Sequence, residues 1–176
     1  IFILNTTNLF ASTKEKIILN LQKINNISFK FKQTIGEKTE EGNCIIQYPK
    51  KIYCIYNNYK KKIIISNGKT LVIKNQNNKQ YYRYSLKRTP FNLILNKNLL
   101  IKEMLNLNSK LIDDKYYNFS IKNNDNKINI FFDKKSYDLI GWQTEDIYQN
   151  LVITFIYNIE KNKKIDEKLF KLPKLN

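Results

Sequence analysis

The chain has 176 residues, of which 42% are hydrophobic, enough for one domain with a real core and too apolar for a disordered chain. It carries 31 Lys+Arg against 15 Asp+Glu, a formal charge of +16, yet only Arg83 and Arg88 are arginines, so the bidentate base and phosphate readers of nucleic-acid proteins are scarce. Histidine is absent and glycine occurs only 4 times, which removes the commonest general base and metal ligand and any Gly-rich phosphate loop.

The opening IFILNTTNLFA is an apolar run that reads as the end of a secretory signal peptide cut after Ala11; the other reading is an N-terminal strand. The domain then spans 12–176. Ser12 and Glu15 have capping-box spacing, and Ile17, Ile18, Leu21 and Ile24 follow a helical period, so a helix is expected from Ser12 to Ile24. ISFKFKQTI alternates strictly. Ile27, Phe29, Phe31, Gln33 and Ile35 lie on one side and Ser28, Lys30, Lys32 and Thr34 on the other, a half-buried strand.

After a GEKTEEG turn come two short strands, each with a cysteine. With a loop of Tyr48 to Lys50, Cys44 and Cys54 sit opposite each other on one face. Opposed positions have Cα atoms about 4.5–5.5 Å apart, within disulfide reach. A cross-strand disulfide and two packed free thiols are both open readings.

A β-meander follows from Lys61, with Asn67-Gly68 expected as a type I′ turn. Thr89-Pro90 then starts a short helix, Thr89 as N-cap and Pro90 as first residue. It is almost wholly apolar, with Phe91, Leu93, Ile94 and Leu95 around Asn92. Asn96–Asn108 is ambiguous, with Leu99, Leu100, Met104, Leu105 and Leu107 clustered as in a helix. Strands resume at KYYNFSI, KINIFF, DLIGWQTEDI and NLVITFIYN, and a KIDEKLFKLP tail closes the chain. Asp113-Asp114 and Glu145-Asp146 are adjacent pairs that strands would point to opposite faces, so no acid/base pair is expected and the chain does not read as an enzyme.

These markers, in this order, resemble one family. Phe31-Lys32-Gln33 resembles its first-strand F-x-Q. Gly42 followed by Tyr48-Pro49 resembles its glycine and Arg-Pro hairpin, and Ser66-Asn67-Gly68-Lys69-Thr70-Leu71 its S-D-G-x-T-L turn. Thr89-Pro90-Phe91 with Leu93-Ile94 resembles its lid helix, and Ile165-Asp166, Leu169-Phe170 and Leu172-Pro173 its closing segment. The family is the periplasmic outer-membrane lipoprotein carriers, LolA, and the resemblance runs from about Leu21 to Pro173.

It implies a mainly β fold with α: an unclosed antiparallel β-barrel of about 10–11 strands, an N-terminal helix and inserted lid helices. Its apolar interior would hold lipoprotein acyl chains, with Phe29, Phe31, Ile46 and Ile52 as wall and Phe91 and Ile94 as plug. Such a monomer would work in the periplasm without cofactor, metal or nucleic acid. It would take acylated lipoproteins from an inner-membrane ABC release complex to an outer-membrane acceptor or the outer membrane itself. Tyr48 stands where the family has an arginine that latches the lid. A phenol offers one hydrogen bond and no charge, so the latch is expected to differ. The alternative function is a lipid- or lipoprotein-binding envelope sensor or adaptor on the same fold.

Overall fold

The computed structural model describes residues 11–58, 61–77, 80–123, 126–146 and 149–174. The expected signal remnant, apart from Ala11, lies outside the described residues.

A single antiparallel sheet carries the fold. Its strands are β1 (Asn26–Ile35), β2 (Lys38–Gln47), β3 (Lys51–Tyr56), β4 (Lys62–Asn67), β5 (Thr70–Asn75), β6 (Tyr81–Ser85), β7 (Lys110–Ile112), β8 (Tyr116–Asn123), β9 (Asn126–Asp133), β10 (Leu139–Glu145) and β11 (Leu151–Lys161). Their spatial order is β6-β5-β4-β3-β2-β1-β11-β10-β9-β8-β7. The first and last strands meet in the middle, and among the described residues β6 and β7 are edges with no further partner, so the sheet is not closed. The chain between those two edges carries a 3-10 turn (Leu86–Arg88), α2 (Phe91–Ile94) and α3 (Lys97–Leu105). Because it joins the two free edges, it has to cross the open mouth of the curved sheet.

Helix α1 (Thr13–Gln22) starts at the capping box: the Glu15 amide donates to Ser12 Oγ at 3.2 Å and the Ser12 amide to Glu15 Oε2 at 2.7 Å. Ile17 and Leu21 are buried on its inner face. In β1, Phe29, Phe31 and Gln33 point inward and Lys30 and Lys32 outward, as the alternation requires. The inward side chains of both half-sheets and the three helices form one core. It includes Phe31, Ile46, Ile52, Leu93, Ile94, Leu100, Phe119 and Phe132.

One glycine is demanded by that core. Gly42 on β2 pairs with Phe31 on β1 and Tyr56 on β3. The Phe31 and Tyr56 rings close over it, 4.7 Å apart and tilted by 67°. A Cβ at Gly42 would lie 2.2 Å from the Ile55 carbonyl oxygen and 2.7 Å from the Phe31 ring.

Local details depart from the sequence reading in four places. Most of GEKTEEG is strand, since β2 begins at Lys38 and the turn is only Gly36-Glu37; pairing with β1 holds even the charged end extended. At the β4–β5 turn φ is positive at Gly68 (100°) but not at Asn67, so the turn is not type I′. Asn67 instead accepts from the Lys69 and Thr70 amides at 3.1 and 3.0 Å, and this side-chain bracket fixes the turn. Asp113-Asp114 is not on a strand. Both residues have positive φ (48° and 56°) and turn the chain from the short β7, unexpected from sequence, into β8. Leu105, grouped with the apolar residues of α3, is exposed.

The closing segment packs. A 3-10 turn, Glu167–Phe170, lies against β3 and β4 and buries Phe170. Lys51 donates to Glu167 at 2.6 Å, and Tyr81 donates to the Pro173 carbonyl at 3.5 Å. The tail therefore runs over the outer face of the first half-sheet, where Ile63, Ile65 and Val72 are also buried.

Cys44 and Cys54 are direct partners across β2 and β3 and form a disulfide, with Cα atoms 4.1 Å apart. The loop they close spans a sequence separation of 10. The chain-entropy model assigns such a loop about 2.5–3 kcal/mol. Reduction, or the double Cys→Ala variant, is expected to lower Tm by about 5–12 °C while leaving the far-UV circular dichroism of the fold intact. An unchanged Tm would mean that the bridge adds no stability.

Candidate functional site

The site is built where β1, β3, β10 and β11 meet the lid. The inward row of β1 supplies Phe29, Phe31 and Gln33; β3 supplies Ile52, Cys54 and Tyr56; β10 supplies Trp142 and β11 Thr154. Phe91, at the start of α2, reaches the same space. Together with Cys44 these residues leave a free volume of about 10 Å³, room for roughly one water-sized sphere. Phe91 and the wall side chains therefore nearly fill the space between them.

The lid closes because its sequence is apolar on almost every side. Leu93, Ile94 and Leu95 are each at most 1% exposed, and Leu86, just upstream, is as deeply buried. Burying side chains of this size stabilises the closed state by about 1.5–3 kcal/mol each. Pro90, expected as the first helical residue, is instead the N-cap of α2, and Thr89 does not cap it. The Thr89 hydroxyl turns back and donates to the Leu86 carbonyl at 2.9 Å, so it secures the preceding 3-10 turn instead.

Of the six expected cavity residues, Phe29, Phe31, Ile52 and Phe91 line this space. Ile46 and Ile94 are buried core residues outside it. Tyr56, Trp142 and Thr154 were not anticipated. One signal pointed toward them. Gln33 stands in an otherwise apolar inward row, and a buried amide needs polar partners. It has them: its Nε2 donates to Thr154 Oγ1 at 2.9 Å, and the Tyr56 hydroxyl donates to its Oε1 at 3.3 Å. Burial pushes the Tyr56 phenol well above its ordinary pKa, so it stays a neutral donor.

This arrangement is an open antiparallel sheet with an apolar interior and a helical lid strung between its free edges. The sequence model of the outer membrane lipoprotein carrier protein LolA matches residues 22–173. The chain belongs to the LolA family.

Two solved structures share the fold, and a third aligns more loosely. An uncharacterized conserved protein from Thermus thermophilus superposes with a TM-score of 0.55 at 6% identity, covering 93% of this chain and 96% of that one. A domain from Vibrio parahaemolyticus named for outer membrane lipoprotein sorting gives 0.53 at 9% identity, covering 90% and 94%. A LolA superfamily protein from Nitrosomonas europaea gives 0.47 at 10% identity, covering 92% and 99%. No curated protein matches the sequence.

In this LolA-family chain, the hairpin that carries Tyr48 does hold the lid, but not through the Tyr48 side chain. The Lys50 amide donates to the Leu95 carbonyl at the end of α2, at 2.7 Å. Tyr48 itself is buried beside Leu21, Ile24 and Ile27, and its hydroxyl bonds to none of the described residues. Its ring instead lies under Lys97 Nζ, 5.6 Å from the ring centre.

Lys97 belongs to a reciprocal pair. From the first turn of α3 its Nζ donates to the carbonyls of Gln22 and Ile24 at the end of α1, at 3.2 and 2.6 Å. From the first turn of α1, Lys14 Nζ donates to the carbonyls of Leu105 and Leu107 at the end of α3, at 2.9 and 3.0 Å. The helices therefore run antiparallel, and each lends a cation to the negative end of the other. Burial lowers the Lys97 pKa, so its charged form depends on those carbonyls.

Proposed function

We propose that the protein is a periplasmic carrier that holds lipoprotein acyl chains under the lid and shuttles lipoproteins from the inner to the outer membrane. It would load from an inner-membrane ABC release complex and unload at an acceptor or at the outer membrane itself. The observation that carries this reading is the apolar lid, a segment strung between the two free sheet edges with Phe91 reaching the inward wall. Membership of the LolA family supports it.

The physical demand is large. Burial at about 0.8 kcal/mol per CH₂ makes a sixteen-carbon chain worth roughly 12 kcal/mol, so no bare chain crosses water unaided. A permanently open pocket would expose the same apolar wall when unloaded. A lid that fills the space and then gives way to cargo meets both demands, with no catalysis required. Among the described residues no helix is long and apolar enough to cross a membrane.

The test is release. Purified protein added to inner-membrane vesicles bearing labelled lipoprotein and the ABC complex is expected to bring lipoprotein into the supernatant as a one-to-one complex. If no lipoprotein leaves the vesicles the carrier reading is wrong; binding without release would instead favour the sensor or adaptor.

A further inference from the structure

The polar cluster inside the apolar site is not fully used by its own members. Gln33 on β1 and Thr154 on β11 are direct cross-strand partners, 8% and 2% exposed. The Gln33 amide gives one of its two N–H groups to Thr154 Oγ1, and its oxygen accepts from Tyr56. The Thr154 hydroxyl accepts from Gln33 and donates to none of the described residues. One amide N–H and one hydroxyl O–H are thus left over, on two side chains that line the same small cavity as Phe29, Phe31, Phe91 and Trp142. Buried donors without acceptors are disfavoured, and an apolar wall offers no acceptor of its own.

We infer that Gln33 and Thr154 form a hydrogen-bond site for the carbonyl oxygen of an O-acyl ester, placed where the acyl chains of a diacylglyceryl group enter the apolar interior. This deepens the proposed function and rests on it. Two neutral donors suit a neutral carbonyl. A free carboxylate would call for a cation, and the cation beside Tyr56 is committed: Lys62 lies 3.8 Å from the ring centre and is ion-paired with Glu40. A bare hydrocarbon would leave both donors unmatched. An ester carbonyl has two lone pairs, enough to accept from both. Its chain would lie along the aromatic wall. The Tyr56 hydroxyl, donating to the Gln33 oxygen, holds the amide with its nitrogen on the Thr154 side.

The experiment compares binding of a dipalmitoylglyceryl-cysteine peptide with its ether-linked dihexadecyl counterpart, which has the same chains and no carbonyl. Wild-type protein is expected to prefer the ester about 3–10-fold, the range for one or two neutral hydrogen bonds. Thr154→Val, nearly equal in shape, and Gln33→Leu are expected to abolish that preference, read as the ratio of ester to ether affinity within each variant. Should Gln33→Leu fail to fold, Thr154→Val decides alone. Equal wild-type binding of ester and ether, or a preference kept in Thr154→Val, overturns the inference and leaves the carrier reading standing. Binding of neither lipid overturns both. Dipalmitoyl phosphatidylcholine as competitor identifies the source: competition assigns the site to diacylglyceryl esters in general, and failure to compete assigns it to the lipopeptide, both in support.

Discussion

Gly42→Ala is expected to be among the most damaging single substitutions in the chain, costing more than about 3 kcal/mol and lowering Tm by at least about 6–12 °C. The reason is backbone geometry rather than turn chemistry. The added carbon would meet the Ile55 carbonyl oxygen at 2.2 Å, and a backbone oxygen cannot swing aside as a side chain could. Relief requires β2 and β3 to part at the Gly42–Tyr56 pair, next to the disulfide-bonded Cys44–Cys54 pair. The same carbon would also press on the Phe31 ring, which lines the candidate site. A domain of this size has only about 5–15 kcal/mol in total, so the variant should be visibly less stable in thermal or urea melts. A melt indistinguishable from wild type would mean that the strands are not packed this closely.

The paired Lys14→Met and Lys97→Met substitutions are expected to loosen the lid without unfolding the sheet. Hydrogen bonds from a charged group contribute about 1.5–3 kcal/mol each when buried. Both lysines are half-buried, each with one exposed and one part-buried bond, so solvent screening reduces the share of each. Together they hold α1 and α3 end to end, so their loss should raise hydrogen exchange of the Leu93, Ile94, Leu95 and Leu100 amides by about 10–100-fold. Exchange in β1 and β9 should hardly change. On the carrier reading the same variant should bind acyl probes more tightly, because less of the binding energy is spent on opening the lid. Exchange rates unchanged in the lid would mean that the Lys50–Leu95 hydrogen bond and apolar packing suffice to keep it shut.

Gly42 was visible as part of an ordered motif, and the inward placement of Phe31 followed from strict alternation in β1. The direct facing of Cys44 and Cys54 followed from equal parity around a short hairpin. These are local relations, governed by a period of two and a turn length. The Asn67-Gly68 turn lies where the sequence places it but in another conformation, because the Asn67 side chain accepts from the Lys69 and Thr70 amides and its φ is not positive. The Thr89 cap was misread for a related reason. Its hydroxyl found an upstream carbonyl, and no capping pattern separates that choice from the usual one.

The lid was legible as an apolar helix after Thr89-Pro90, but its latch was not. Tyr48 was expected to carry or lose that role, whereas the backbone of Lys50 and two lysines on separate helices share it. Lys14 and Lys97 are paired only because α1 and α3 dock antiparallel, and nothing in either helix's own sequence announces the other. The polar cluster is similar. Gln33 could be seen as a polar residue in an inward row, but its partner Thr154 lies 121 residues away.

By itself, then, the sequence determined most of the strands, their inner faces, the greasy insertion after β6 and the facing of the two cysteines, because periodicity and short turns are properties of neighbouring residues. The tertiary structure decided where the two half-sheets join. The β1–β11 pairing sets Gln33 opposite Thr154 and brings Trp142 beside Phe29. That pairing joins residues 121 positions apart, so the chemistry inside the site emerges only when the first and last strands meet.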